Sequence, residues 1–249
     1  MPDPEVLARE LAYHEKLYAG FAQSHFAKPA VRAMRCHMVA RILHLTGVGK
    51  DSRVLSLGCG IGDTELLLAP YVGEIVGVDL SPAAIRQARL DADRLGIRNV
   101  QFVEGTDAEG EFDAAIAIFF LHHLSDGDLH ELPRQLERRL APGGVFYSLD
   151  PSRRRLSGAV GRVLIPWMMK RYQTPDEREL DPEWTAGLFR DAGYDSRVEM
   201  YDFGSTPLAG LFPGWSWGYG FARLFDDWLL RFAPLRKRGS NFEVVAKRP

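Results

Sequence analysis

Short apolar runs of β character alternate with helical patterns along this chain. That alternation predicts an α/β fold in which a mostly parallel sheet of seven strands is covered by helices on both faces. Two further observations support it. The first candidate strand runs into a glycine-rich turn, "LGCGIGD", and the second, "EIVGVDL", ends in a carboxylate, Asp79, just before a helix start. Strand, tight turn, helix and strand in that order make the ligand-binding half of an open parallel sheet.

The elements follow in order. In "PAVRAMRCHMVARILHLTGVG", Val31, Met34, Met38, Val39, Ile42 and Leu43 recur at helical spacing, and Gly47 is placed to stop the helix, which we expect to pack against the sheet. Strands are expected at "RVLSLG", "EIVGVDL", "VQFVEG", "FDAAIAIFF" and "GVFYSLD". Ser81 and Pro82 mark a helix start as N-cap and first-turn proline. Beyond Asp150 the rhythm changes. Residues 151–180 resemble no strand, "PEWTAGLFRDAGY" is a helix, and "SRVEMYDF" and "NFEVVAKR" are the sixth and seventh strands. An aromatic-rich insertion lies between those two strands. The chain, 1–249, reads as a single domain: a helical lid at 1–48, a ligand-binding core at 50–150, and insertions on the substrate side at 151–180 and 204–240.

Composition narrows the function classes. Of 249 residues, 46% are hydrophobic and 26% charged, with a formal net charge of −2, which argues against a disordered chain and against a basic nucleic-acid binder. Cys36 and Cys59 are too few for a disulfide framework and match no metal-ligand spacing, which suits a reducing compartment. The start, "MPDPEVLARELAYHEK", lacks an apolar signal core, and no apolar run approaches the roughly 18 residues of a membrane span. A cytoplasmic location is expected.

The turn narrows the ligand. Gly58, Gly60 and Gly62 let backbone N–H groups and a helix N-terminus approach a bound molecule. A dinucleotide fingerprint reads GxGxxG, whereas this turn reads GxGxG with Asp63 at the place of the last glycine. A carboxylate is unfavourable beside a pyrophosphate and tolerable beside an ammonium or sulfonium group. Asp79 can accept hydrogen bonds from both hydroxyls of a ribose. Asp107, in "VEGTDAEG" just past the third strand, can accept from an adenine amino group, and the Ala108 N–H can serve a ring nitrogen. Together these positions fit S-adenosylmethionine.

The segments "VLSLGCGIGD", "VGVDLSPAAIRQAR", "FVEGTDA", "FDAAIAIFFLHHL" and "LAPGGVFYSLD", in that order, resemble a class I S-adenosylmethionine-dependent methyltransferase of the small-molecule type. The resemblance is close over residues 50–150 and holds only in outline at the ends. It implies a doubly wound, seven-stranded, Rossmann-like sheet whose last strand is antiparallel. It also implies that Gly58, Cys59 and Gly60 line the amino-acid part of the cofactor through their backbone, that Asp79 binds ribose, and that Leu80 packs on adenine. Asp107 and Ala108 would read the adenine edge, and Phe119 would close the pocket beside the methionine moiety. Related enzymes close an N-terminal helix over the cofactor and use an aromatic hydroxyl on its carboxylate, a role for which Tyr18 is the candidate among Tyr13, Tyr18, Phe21 and Phe26. Plain core packing competes for these aromatics.

Methyl transfer is an in-line displacement at an activated carbon, so the protein chiefly aligns, and a base is needed only where the nucleophile must lose a proton. In "FFLHHLSD", His122 and His123 stand just beyond the fourth strand and are the candidate catalytic bases. The competing reading is that they cap the next helix or bond to backbone. Quinone-pathway O-methyltransferases resemble this loop but carry two acidic residues and a histidine there. Phe119 and His122 stand at the acidic positions and His123 at the histidine, so no metal is expected. In "FARLFDDWLLRF", Phe221, Leu224, Phe225, Trp228, Leu229 and Phe232 form one helical stripe, followed by Arg236 to Arg238. Packing on the sheet, a wall for an apolar substrate, and a membrane or subunit contact through 221–238 compete for it. Arg153, Arg154 and Arg155 are candidates to meet an anionic group, against a solvated surface.

The expected activity is methylation of a small, largely apolar or aromatic acceptor, on a hydroxyl, with no nucleic-acid partner. C- or N-methylation of a small or lipid-like acceptor, a non-catalytic cofactor-binding protein, and a nicotinamide-dependent oxidoreductase are the alternatives. Asp63 and the terminal strand stand against the last of these.

Overall fold

The computed structural model describes residues 27–106, 108–155 and 179–249. The expected roles of Tyr18 and its neighbouring aromatics, and of Asp107, lie outside the described residues, as does most of the 151–180 insertion.

The first described helix, α1 (Pro29–Thr46), buries Ala30, Val31, Met34, Met38, Val39 and Ile42. Gly47 ends it in the left-handed conformation at φ 72°, its N–H bonding the Leu43 carbonyl. The sheet then builds in the expected order. β1 (Arg53–Leu57) leads through the glycine turn into α2 (Asp63–Leu68), and β2 (Glu74–Asp79) into α3 (Pro82–Leu95), which Ser81 caps by accepting from the Ala84 N–H. β3 (Val100–Glu104), β4 (Phe112–Ile118), α4 (Asp126–Glu137) and β5 (Leu140–Pro151) complete the parallel core. α5 (Pro182–Asp191), β6 (Asp195–Asp202) and β7 (Asn241–Lys247) follow. The strand order is β3-β2-β1-β4-β5-β7-β6, and β7 is antiparallel to both of its neighbours. This is the doubly wound, seven-stranded architecture that the sequence predicts.

Helices cover both faces, so the central strands are apolar on both sides rather than alternating. Val54, Ile116 and Tyr147 face α1 with Met38 and Ile42. Leu55, Ala115 and Phe146 face α4 and α5 with Leu132 and Phe189. A buried ion pair fixes α1 on the sheet. The Arg41 guanidinium pairs with the Glu243 carboxylate, which is 0% exposed, and with Glu199 at 2.7 Å, while the Tyr147 hydroxyl donates to Glu243 at 2.7 Å.

The insertion between β6 and β7 folds as α6 (Ser205–Leu211), α7 (Ser216–Leu229) and α8 (Ala233–Arg236). Its orientation removes one of the three competing readings of the aromatic stripe. The stripe from Phe221 to Phe232 does not pack on the sheet; Phe221, Leu224, Phe225, Trp228 and Phe232 are exposed, and α7 buries Gly218, Tyr219, Arg223 and Asp226 instead. Ala209 and Tyr219 join the α1 cluster, and the Ala30 N–H donates to the Pro213 carbonyl at 2.8 Å. Among the described residues, no helix is long and apolar enough to cross a membrane.

Candidate active site

The carboxyl edge of the sheet gathers the candidate residues, because every parallel strand ends there. At the end of β1, Gly58 and Gly62 have φ of 63° and 75°. Their need for glycine is also steric. A Cβ on Gly58 would stand 2.2 Å from the Phe120 ring, and one on Gly62 would stand 2.4 Å from the Phe102 ring.

Asp79 is tied to this turn. One oxygen accepts from the Gly60 N–H and the other from the Ser81 N–H, each at 2.8 Å. A carboxylate offers about four lone-pair sites, so two remain for a ligand's hydroxyls. Leu80 follows it with 41% of its surface exposed, an apolar side chain beside a carboxylate at the ligand edge of the sheet. The Cys59 thiol is buried and burial pushes its pKa well up, which leaves its backbone as the useful part; its N–H already bonds the Val78 carbonyl at 3.1 Å.

Several charged candidates are paired within the protein. Asp63 meets an internal cation rather than waiting for one on a ligand: Arg35 of α1 pairs with it at 2.7 Å. Arg154 and Arg155 are engaged too, with Asp181 and Glu179 respectively, while Arg153 is exposed. Beneath the turn, Glu65 is 2% exposed, accepts from the Ser56 hydroxyl at 2.6 Å, and is raised by burial to about 7.

Past β4 the chain reverses abruptly. Phe119 takes a left-handed φ of 53°, a conformation that costs a non-glycine residue about 1–2 kcal/mol and is characteristic of functional turns. Its N–H bonds the Leu149 carbonyl at 2.8 Å, and its side chain packs on the α1 side, so the ring lying on the glycine turn belongs to Phe120. A single-turn 3-10 helix, Leu121–His123, then positions the histidines. The imidazole of His122 is buried, and its Nδ1 lies 2.9 Å from Oδ1 of Asp150, which also accepts from the His122 backbone N–H at 3.3 Å. The two histidine rings are 4.1 Å apart, tilted by 39°. Neither histidine supplies the cap of α4, since Ser125 does so by accepting from the Asp128 N–H.

Asp150 is the residue that sequence reasoning missed. It ends β5 as Asp79 ends β2, and that parallel was readable in "YSLD"; what the sequence lacked was the neighbour 28 residues away. Burial pushes the Asp150 carboxyl up, and the His122 hydrogen bond opposes part of that rise. When ionised, the Asp150 carboxylate accepts only, and in that state it would hold the proton of His122 on Nδ1 and leave Nε2 as the basic nitrogen. Among the described residues, no group of three or more His, Cys, Asp or Glu side chains is arranged to hold a metal.

Residues 54–144 match a family model described as a methyltransferase domain. The uncharacterized methyltransferase YcgJ of Bacillus subtilis is 33% identical over 105 residues, 40% of this chain and 41% of that protein. The 23S rRNA (uracil(1939)-C(5))-methyltransferase RlmD of Stenotrophomonas maltophilia is 45% identical over 65 residues, 26% of this chain and 15% of that one. The chain therefore spans less than half the length of these curated relatives. Among solved structures, one described as a DhpI-SAM-HEP complex superposes with a TM-score of 0.61 at 16% identity, covering 100% of both chains.

Proposed function

We propose that this chain, which has the class I methyltransferase fold and a methyltransferase domain at residues 54–144, methylates a hydroxyl of a small, largely apolar or aromatic acceptor, with S-adenosylmethionine as donor. The observation that carries the hydroxyl is the buried pair of His122 and Asp150 at the carboxyl edge, 2.9 Å apart.

The site's residues fit the cofactor. The turn at Gly58, Cys59 and Gly60 lies beside Asp79, which retains acceptor sites for ribose hydroxyls, and exposed Leu80 offers an apolar surface to a purine. Ala108, Asp107, Phe119 and Tyr18 are the further cofactor contacts in this reading, with Phe120 added over the turn. Bound there, the cofactor supplies a methyl carbon made electrophilic by its sulfonium. His122 Nε2 takes the acceptor's hydroxyl proton, and Asp150 stabilises the imidazolium that forms and fixes the ring's orientation. His123 lies beside it, the two rings 4.1 Å apart and tilted by 39°, and is the alternative base.

The test is calorimetric titration with S-adenosylmethionine and S-adenosylhomocysteine, followed by labelled-methyl transfer to a panel of phenols and aliphatic alcohols. His122→Ala is expected to lower turnover roughly 100-fold or more without weakening cofactor binding. Undiminished turnover in His122→Ala removes the base, and failure to bind either compound removes the whole reading.

A further inference from the structure

The insertion carries an exposed aromatic surface. On α7, Trp217, Phe221, Leu224, Phe225 and Trp228 recur at i, i+4, i+7, i+8 and i+11, so they share one face, and Phe232 continues it. All are exposed, Phe221 and Leu224 by 69% each.

Polar contacts on the opposite face lock that orientation. Buried Asp226 accepts from the Gly204 and Ser205 N–H groups at 3.0 and 2.8 Å. Arg223 donates to the Tyr201 carbonyl at 2.6 Å and pairs with Asp227. Turning the aromatic face inward would strand these charges, so the protein is built to present it. Between α6 and α7 the same face opens into an apolar groove of about 490 Å³, with Leu208, Trp215 and Phe225 in its walls.

Charge sits at one end of this ridge. Arg231, Arg236, Lys237 and Arg238 are exposed and form no ion pair among the described residues, although the whole chain has a net charge of −2. Both carboxylates of α7, Asp226 and Asp227, are already engaged. A second copy of this face therefore brings no free carboxylate of α7 to these cations, whereas a sheet of lipid phosphates does.

We propose that α7 and the basic turn after it seat this protein on an anionic lipid surface. The aromatic face enters the boundary between headgroups and acyl chains, where indole and phenyl rings are favoured, and the four cations meet phosphates. The insertion leaves and rejoins the sheet at its carboxyl edge, at Asp202 and Asn241, where Asn241 pairs with Pro151, next to Asp150.

The test uses the full chain with vesicles of phosphatidylcholine alone and of phosphatidylcholine mixed with phosphatidylglycerol, read by co-sedimentation and tryptophan emission. Binding to the mixed vesicles, weakened by salt and accompanied by a blue shift, is the expected result. Phe221→Ser with Trp228→Ser should abolish it. Neutralising Arg236, Lys237 and Arg238 to Gln should lower partitioning roughly fivefold per charge. Both variants change exposed side chains, so each should keep the wild-type unfolding midpoint. Absence of vesicle binding, equal binding to both vesicle types, or equal binding by all three proteins overturns the proposal. A dimer that Phe221→Ser with Trp228→Ser dissociates, with vesicle binding unchanged, would assign the face to a second copy instead.

Discussion

The Asp79 carboxylate accepts a hydrogen bond from the Gly60 N–H at 2.8 Å, so the group proposed to hold a ribose also holds the glycine turn that faces it. Cofactor binding and local folding are therefore coupled at this residue. Asp79→Ala should weaken S-adenosylhomocysteine binding by about 1–3 kcal/mol and lower stability by a similar amount, since two backbone donors lose a charged acceptor. Titration calorimetry and denaturant unfolding on the same protein check both. A loss of affinity with no loss of stability would mean that the turn holds itself.

Gly58 and Phe120 form a second coupled pair. Gly58→Ala must adopt a φ of 63° and collide with the Phe120 ring. The backbone part alone costs about 1–2 kcal/mol. Combining Gly58→Ala with Phe120→Ala should recover the steric part and leave the backbone part, and a double-mutant cycle measured by urea unfolding separates the two. Strict additivity would show that the ring can move aside freely.

Removing Arg41 leaves the fully buried Glu243 without its cation. Arg41→Ala should destabilise by about 3–5 kcal/mol, far more than loss of a surface pair, because an uncompensated charge stays inside. Arg41→Ala with Glu243→Gln should regain most of this. Thermal unfolding of the two proteins decides it.

Glu65 makes stability depend on pH. Its folded pKa is raised from 4.5 to about 7 by burial, so the native state holds a proton that the unfolded chain releases first. The corresponding stability is present in full below pH 4.5 and is lost as pH rises toward 7, a change of about 3 kcal/mol. Glu65→Gln should flatten that segment of the stability profile and be the more stable protein above pH 7. An unchanged slope between pH 4.5 and 7 would show that Glu65 is ionised in the native state throughout.

Much of the core was legible in the chain because its signals are local. Seven strands, the turn of Gly58 and Gly60, the Ser81 cap and the Gly47 stop each arise from neighbours within a few residues, where periodicity and backbone preference act directly. The carboxyl edge as the ligand edge follows from the parallel arrangement alone. Tertiary structure decided the rest, since it depends on residues far apart in sequence. The partner of His122 is 28 residues away, on another strand, so the pair could not be read from "FFLHHLSD". The ring over Gly58 is Phe120 rather than Phe119, because one left-handed residue at the end of β4 reverses the alternation that places side chains. The α7 stripe has a clear apolar face by period. Whether that face turns inward was decided by the opposite side, where Asp226 and Arg223 find buried backbone partners that outweigh the exposure of the aromatic rings.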